Sequence, residues 1–221
     1  MRNLSMTFIV LVLYAAGCES GDNFSMGGQD VPVPAGQVKK WSFDADSQGT
    51  LPADFINVLG AWQVAADPTA PSAANVLRQS GSFNNSDFPR VLVRDLSFGD
   101  LKLKVRCRPE SGSADQACGL VFRAQDSDNY FITRANALEA SVNLYRVLQR
   151  ERQFITGASA NVTAGTWQAL EVVAQGSAIT VSWNGAQLIS ATDATYARGK
   201  IGLWTKADSV TAFDELEATA Q

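Results

Sequence analysis

The chain has 221 residues, 46% hydrophobic and 18% charged, which excludes a disordered or fibrous protein and suffices for one core of roughly 150 to 200 residues. Lys plus Arg total 18 against 22 Asp plus Glu, a net charge of -4, so no cationic surface is expected to neutralise phosphates and no nucleic-acid partner is expected. Histidine is absent, which removes Ser-His-Asp and Cys-His nucleophile activation and imidazole zinc sites and leaves carboxylates, Lys, Tyr, Arg or a bound metal for any chemistry.

Arg2 is followed by the continuous apolar run Phe8 to Ala16 (FIVLVLYAA), too short to span a bilayer comfortably, and then by small residues leading into Cys18. A cysteine directly after Ala15-Ala16-Gly17 resembles the lipobox of bacterial lipoproteins, in which that cysteine is lipidated and becomes the mature N-terminus. The departure is Ala15, where Leu is commoner, and the alternatives are a plain signal peptide cut nearby and, less favoured, a retained membrane anchor. Each reading exports the rest of the chain. Residues 1–17 are expected as a lipoprotein signal peptide, Cys18 as the lipidation site, and the bacterial cell envelope as the location, with the membrane touched through the lipid anchor only. Residues 18–37, rich in Gly, Ser, Asp and Pro, read as a flexible tether, and 38–221 as one folded domain.

Within that domain Asp100 to Arg108 (DLKLKVRCR) alternates with period two. Leu101, Leu103, Val105 and Cys107 share one face, and Lys102, Lys104, Arg106 and Arg108 the other, as in a half-buried strand. Gly119 to Ala124, Tyr130 to Asn136, Trp167 to Ala174, Ala178 to Trp183 and Ile201 to Lys206 are short β-branched or aromatic runs bounded by turn residues. The strongest turn signal is Asn184-Gly185, because a type I′ hairpin needs positive φ twice; Asp126 to Asn129 and Gly165-Thr166 are weaker. Leu138 to Arg152 fits two periods: Leu138, Val142, Tyr145 and Gln149 at helical spacing, or Val142, Leu144 and Leu148 at strand spacing. The many short strands around it favour a sandwich, so a strand is expected from Ser141 to Leu148.

Four phrases, "WSFDADSQGTLPADF", "WQVAADPTAPSAANVL", "DQACGLVFRAQDSDNYFITRANALEASVNLYRV" and "GKIGLWTKADSVTAFDEL", span nearly all of Trp41 to Thr219. In this order they resemble the concanavalin-A-like domains of the bacterial DUF1080 family, the 3-keto-disaccharide hydrolases. The resemblance implies an all-β, two-sheet antiparallel jelly-roll sandwich, carbohydrate in the groove of one concave sheet, and a strand rather than a helix at Ser141 to Leu148. It also implies a reaction in which oxidation at C3 of a sugar acidifies the neighbouring C–H, so that one modest base drives elimination without histidine. Laminarinase-type chemistry is not expected, because no Glu-x-Asp-x-x-Glu occurs and Glu171 stands alone on its strand.

Strand parity turns Arg123, Arg134, Asn136, Asn143 and Tyr145 outward if Leu120, Phe122, Phe131, Thr133, Val142 and Leu144 point inward. Trp204 and Lys206 have matching parity on the last run, which the resemblance places in the same sheet. Planar Arg and Asn donors beside a Tyr ring suit sugar hydroxyls and carboxylates, so these seven residues form the expected saccharide site. The alternatives are an exposed face that these side chains merely solvate and, for Trp204, a place in the core. Glu139, Asp126, Asp128 and Asp208 are conceivable bases, with Arg123 or Lys206 as enolate partner. Asp44, Asp46 and Asp214 are the residues a structural calcium would use, the alternative being a solvated acidic rim; no cofactor is otherwise required. Cys107 and Cys118, inward by parity at facing ends of one hairpin, are expected to form a disulfide rather than remain free thiols. The functions to be separated are a saccharide-binding module, a hydrolase or lyase on 3-keto-glycosides, and a structural protein-interaction domain.

Overall fold

Period-two alternation becomes extended backbone along most of the chain in the computed structural model, which describes residues 30–221 and holds no helix among them. The strands are β1 (Val31–Pro32), β2 (Val38–Trp41), β3 (Phe55–Leu59), β4 (Trp62–Ala66), β5 (Asn75–Gln79), β6 (Arg90–Val93), β7 (Leu96–Ser97), β8 (Leu101–Ser111) and β9 (Ala117–Ala124). They continue with β10 (Tyr130–Asn136), β11 (Ser141–Leu148), β12 (Glu151–Ser159), β13 (Gln168–Gln175), β14 (Ala178–Trp183), β15 (Ala186–Thr192), β16 (Lys200–Trp204) and β17 (Val210–Ala220). A front sheet of seven strands runs β12-β11-β10-β9-β16-β6-β3, and a back sheet of eight runs β15-β14-β13-β8-β17-β5-β4 with β2 added on β17. Every pairing within these sheets is antiparallel, giving the two-sheet jelly-roll sandwich.

Between the sheets lies the core that the alternation defines. Leu101, Leu103, Val105 and Cys107 of β8 face Cys118, Leu120 and Phe122 of β9, all fully buried. Phe131 stacks on Phe122 with ring centroids 5.2 Å apart. On the outer side of the back sheet, charges pair instead: Lys102 with Glu171 at 3.1 Å and Lys40 with Glu217 at 2.9 Å.

The disulfide joins Cys107 to Cys118 across a Cα separation of 6.3 Å. Its two strands belong to different sheets, so the expected hairpin is a crossing between layers and the bond staples the sandwich through its core. The ambiguous segment is the strand Ser141–Leu148, and it continues into β12, which the sequence pattern conceals. The turn between them uses Gln149 and Arg150 at φ of 50° and 73°, positions normally marked by Asn or Gly. Neighbouring chain holds it: Gln149 N donates to Asn129 Oδ1 at 3.0 Å and Arg150 N to Asp128 O at 3.0 Å. At Asn184-Gly185 the φ values of 49° and 83° are those the type I′ turn requires.

Residues 30–37, expected as the end of the tether, lie instead against the sandwich. Val31 and Pro32 pair in parallel with Leu96 and Ser97, Val33 is buried, and Asp30 bonds the buried Lys200. Cys18 and the expected signal peptide lie outside the described residues.

The loop closed by Cys107–Cys118 is short, and the chain-entropy treatment of its removal gives a loss of about 2 to 3 kcal/mol. Urea unfolding of the Cys107→Ser, Cys118→Ser double variant should show that loss; unchanged stability would mean the bond adds nothing to the staple.

Candidate functional site

The outward face of the front sheet carries a second apolar layer rather than a merely solvated surface. Leu92, Val121, Tyr130, Ile132, Val147 and Trp204 are buried there, away from the core between the sheets. On this layer the structure brings together six of the seven expected residues. Arg134 and Asn136 come from β10, Asn143 and Tyr145 from β11, Trp204 from the end of β16, and Lys206 from the segment just beyond it. A Cβ at Gly119 would lie 3.0 Å from Trp204 Cε3, so the glycine is what lets the indole approach β9 so closely.

These side chains converge on two carboxylates. Arg134 forms an ion pair with Glu139 and donates to the Tyr145 hydroxyl at 3.1 Å, and that hydroxyl lies 3.0 Å from the Asn143 amide oxygen. Asn136 Nδ2 donates to Asp115 at 2.8 Å and to Glu139 at 3.2 Å, and Lys206 Nζ donates to Asp115 at 2.9 Å. Burial pushes the Asp115 carboxyl above its usual range despite the neighbouring Lys206 ammonium. Burial acts in the same direction on Glu139, but the Arg134 hydrogen bond and charge outweigh it and hold that carboxyl below its usual range. Asp115 stands in a loop that strand parity does not reach. Asp208 fixes this loop by accepting from the amides of Ser113, Ala114 and Asp115 at 2.6, 3.0 and 3.0 Å. Burial opposes ionisation of Asp208, yet those amides hold its carboxyl well below the usual range.

Arg123 does not belong to this set. Its backbone sits at φ 50°, alternation breaks there, and its fully buried side chain turns toward the end of the sandwich. It donates to Gly99 O at 3.1 Å, Gly176 O at 2.8 Å, Tyr196 O at 3.2 Å and Asp100 Oδ1 at 3.0 Å, tying β9 to a turn of the back sheet. The expected acidic triad also separates. Asp44 and Asp214 meet at the Ser72 hydroxyl, each 2.9 Å away, whereas Asp46 lies beside Asp54. Among the described residues no group of three or more Asp, Glu, Cys or His side chains is arranged to hold a metal ion. Of the other candidate bases, Asp126 caps its own bend through Asp128 N at 2.7 Å, and Asp128 lies 3.7 Å from Arg150 Nε.

Parity also misses the middle of the face. Arg152 of β12 is held between two rings, its guanidinium carbon 4.9 Å from the Phe88 centroid and 4.5 Å from the Tyr145 centroid. Phe88 stacks on Trp204 at 5.6 Å, and Tyr145 meets Phe154 edge-on at 5.6 Å. Trp204, Phe88, Arg152, Tyr145 and Phe154 therefore form one continuous row, ending in a phenyl ring that is 62% exposed. Arg152 and Phe154 have the i, i+2 spacing of one strand face, a signal readable only once β12 is recognised. Beside the row, a cavity of about 650 Å³ opens at the other end of the same strands, lined by Phe88, Arg90, Asp128, Tyr130 and Val147 among others. The expected residues thus meet in a closed hydrogen-bonded cluster, and the open space lies next to it.

The family described as the 3-keto-alpha-glucoside-1,2-lyase-like domain matches residues 57–218. No curated protein matches the chain. Among solved structures, the carbohydrate binding module CBM66 from Bacillus subtilis is similar at 16% identity over 76% of this chain and 96% of that one, with a TM-score of 0.64. A Bacillus subtilis protein with a galectin-like fold is similar at 13% identity over 75% and 89%, TM-score 0.57. Bacillus licheniformis beta-glucanase follows at 10% identity over 85% and 100%, TM-score 0.56. At these identities the likeness is one of fold.

Arg123→Ala would remove four hydrogen bonds made by a buried guanidinium, and should lower the unfolding free energy by about 1.5 to 3 kcal/mol in urea titrations. A loss below about 1 kcal/mol would contradict the role given to Arg123.

Proposed function

The chain belongs to the 3-keto-alpha-glucoside-1,2-lyase-like family, and from that premise we propose that its domain binds saccharide along the outward face of the front sheet, without obligatory turnover. The observation that carries this reading is the row from Trp204 to Phe154. A large exposed ring continuous with buried aromatics offers a flat surface for the C–H face of a sugar. The names of the fold neighbours, a carbohydrate binding module and a beta-glucanase, are consistent with it.

Family membership favours a second reading, elimination from a 3-keto-glycoside. A base takes the proton from C2, the electron pair forms the enolate, and the C1–O bond breaks as the leaving oxygen acquires a proton. Two features weigh against it. Glu139, 47% exposed, is held below its usual range by Arg134, while Asp115, raised by burial, is closed off behind Lys206 and Asn136.

Incubation with a 3-keto-disaccharide and with its unoxidised parent separates the readings. Binding without product is expected, product from the keto form would establish the lyase, and neither would leave a protein-interaction face. Phe154→Ala, which removes the exposed ring of the row, should weaken binding at least about tenfold by calorimetry. Phe122→Ala should instead cost about 3 to 5 kcal/mol of stability and leave the affinity of the folded fraction unchanged.

We propose further that the chain is exported and anchored to the envelope membrane through lipid on Cys18. The Ala-Ala-Gly-Cys sequence supports this, as does the Cys107–Cys118 bond, which persists in oxidising compartments. Palmitate labelling in cells should mark the native chain and miss Cys18→Ala; equal labelling of both would refute the anchor.

A further inference from the structure

Not every cation on the outward face of the front sheet has a carboxylate partner among the described residues. Arg134 is paired with Glu139, Lys206 with Asp115, and Arg150 with Asp128, so each of these cations has its own carboxylate. Arg90 and Arg152 have none among the described residues. Arg90 spends its donors on backbone carbonyls, Phe88 O at 2.8 Å and Ser127 O at 2.5 Å. Arg152 makes no side-chain hydrogen bond among the described residues, and its Nη1 is shut off from solvent with no acceptor. The one further carboxylate at the cavity, Asp87, is engaged by Asn84 N at 3.0 Å and Nδ2 at 3.1 Å. Arg152 therefore stands without an acceptor or a carboxylate on the face that carries the exposed aromatic ring.

A guanidinium costs free energy when its donors lack acceptors, and this one lies against two rings, its carbon 4.9 and 4.5 Å from their centroids. A planar fork held in advance, without a carboxylate of its own, is suited to an incoming anion. The location fits, because Phe88, which stacks on Arg152, also lines the cavity of about 650 Å³, while Tyr145 on the other side leads to Phe154. We propose that the saccharide bound on this face carries an anionic group, a uronate carboxylate or a sulfate or phosphate ester, and that Arg152 receives it. This rests on the saccharide-binding reading above and names the substrate class of that site.

Calorimetric titration with three oligosaccharides tests it: one containing glucuronic acid, its carboxyl-reduced neutral form, and a sulfate ester of that neutral form. At least one acidic form should bind about tenfold or more tighter than the neutral one, with the margin shrinking as salt is raised, and the stronger of the two identifies the anion. Within the Arg152→Gln variant the acidic and neutral forms should bind equally, and Arg152→Lys, which keeps the charge without the planar fork, should restore only part of the margin. Equal affinity for acidic and neutral forms in the native protein overturns the inference and leaves saccharide binding standing, a result that needs no variant to fold. A margin that survives Arg152→Gln overturns it as well. Failure of all three to bind removes the underlying reading together with this one.

Discussion

Strand β9 is buried on both faces, and the rest of the structure is arranged around that constraint. Its inward residues Cys118, Leu120 and Phe122 meet β8 and β10 in the core, and burying each large apolar side chain stabilises the fold by about 1.5 to 3 kcal/mol. Its outward positions, Gly119 and Val121, lie under the second apolar layer that carries Trp204 and Tyr130. A strand covered from both sides cannot slip by one residue without placing the wrong side chains in both layers, so its register fixes the core and the outward face together. The disulfide at one end and the Arg123 hydrogen bonds at the other tie this strand to the back sheet.

Both outer surfaces carry charge. On the back sheet, Lys40 and Lys102 pair with Glu217 and Glu171 partly exposed and with modest energetic weight, while Arg108 is set deeper against Asp67 and Glu110. On the front sheet Arg134 and Asn136 are almost wholly buried beneath an exposed Glu139. Burying such groups requires every donor to be met, and the network from Lys206 through Asp115, Asn136 and Glu139 to Arg134 largely meets that need. Arg134 Nε, Arg152 Nη1 and Trp204 Nε1 lack hydrogen bonds among the described residues, although the indole N–H lies beside the Tyr130 hydroxyl. The aromatic row beside them is what separates this face from a surface built only to meet solvent.

Wherever alternation is unbroken the sequence discloses the structure well: the inward set of β8, the outward Arg134 and Asn136 of β10, and the bounds of β10 and β14 follow from period and turn residues alone. It falls silent where backbone conformation departs from residue preference. Arg123 adopts a positive φ without glycine or asparagine and so turns from the expected face to the sandwich end, and the Gln149-Arg150 turn hides β12 and with it Arg152 and Phe154. Contacts distant in sequence are equally hidden. Nothing local shows that Asp208 draws Asp115 beside Lys206, or that Val31 pairs with Leu96 and shortens the tether. Asp44, Asp46 and Asp214 show the converse, since residues grouped by being acidic and terminal do not meet at one point.

The central claim is that ligand lies on the outward face of the front sheet, along the row from Trp204 to Phe154. Backbone amide NMR during titration with an oligosaccharide tests this residue by residue. The account predicts shift changes concentrated in β10, β11 and β12 and around Trp204, with Lys102, Glu171 and the rest of the outer back sheet unmoved. Changes centred on the back sheet, with Tyr145, Arg152 and Phe154 silent, would contradict it.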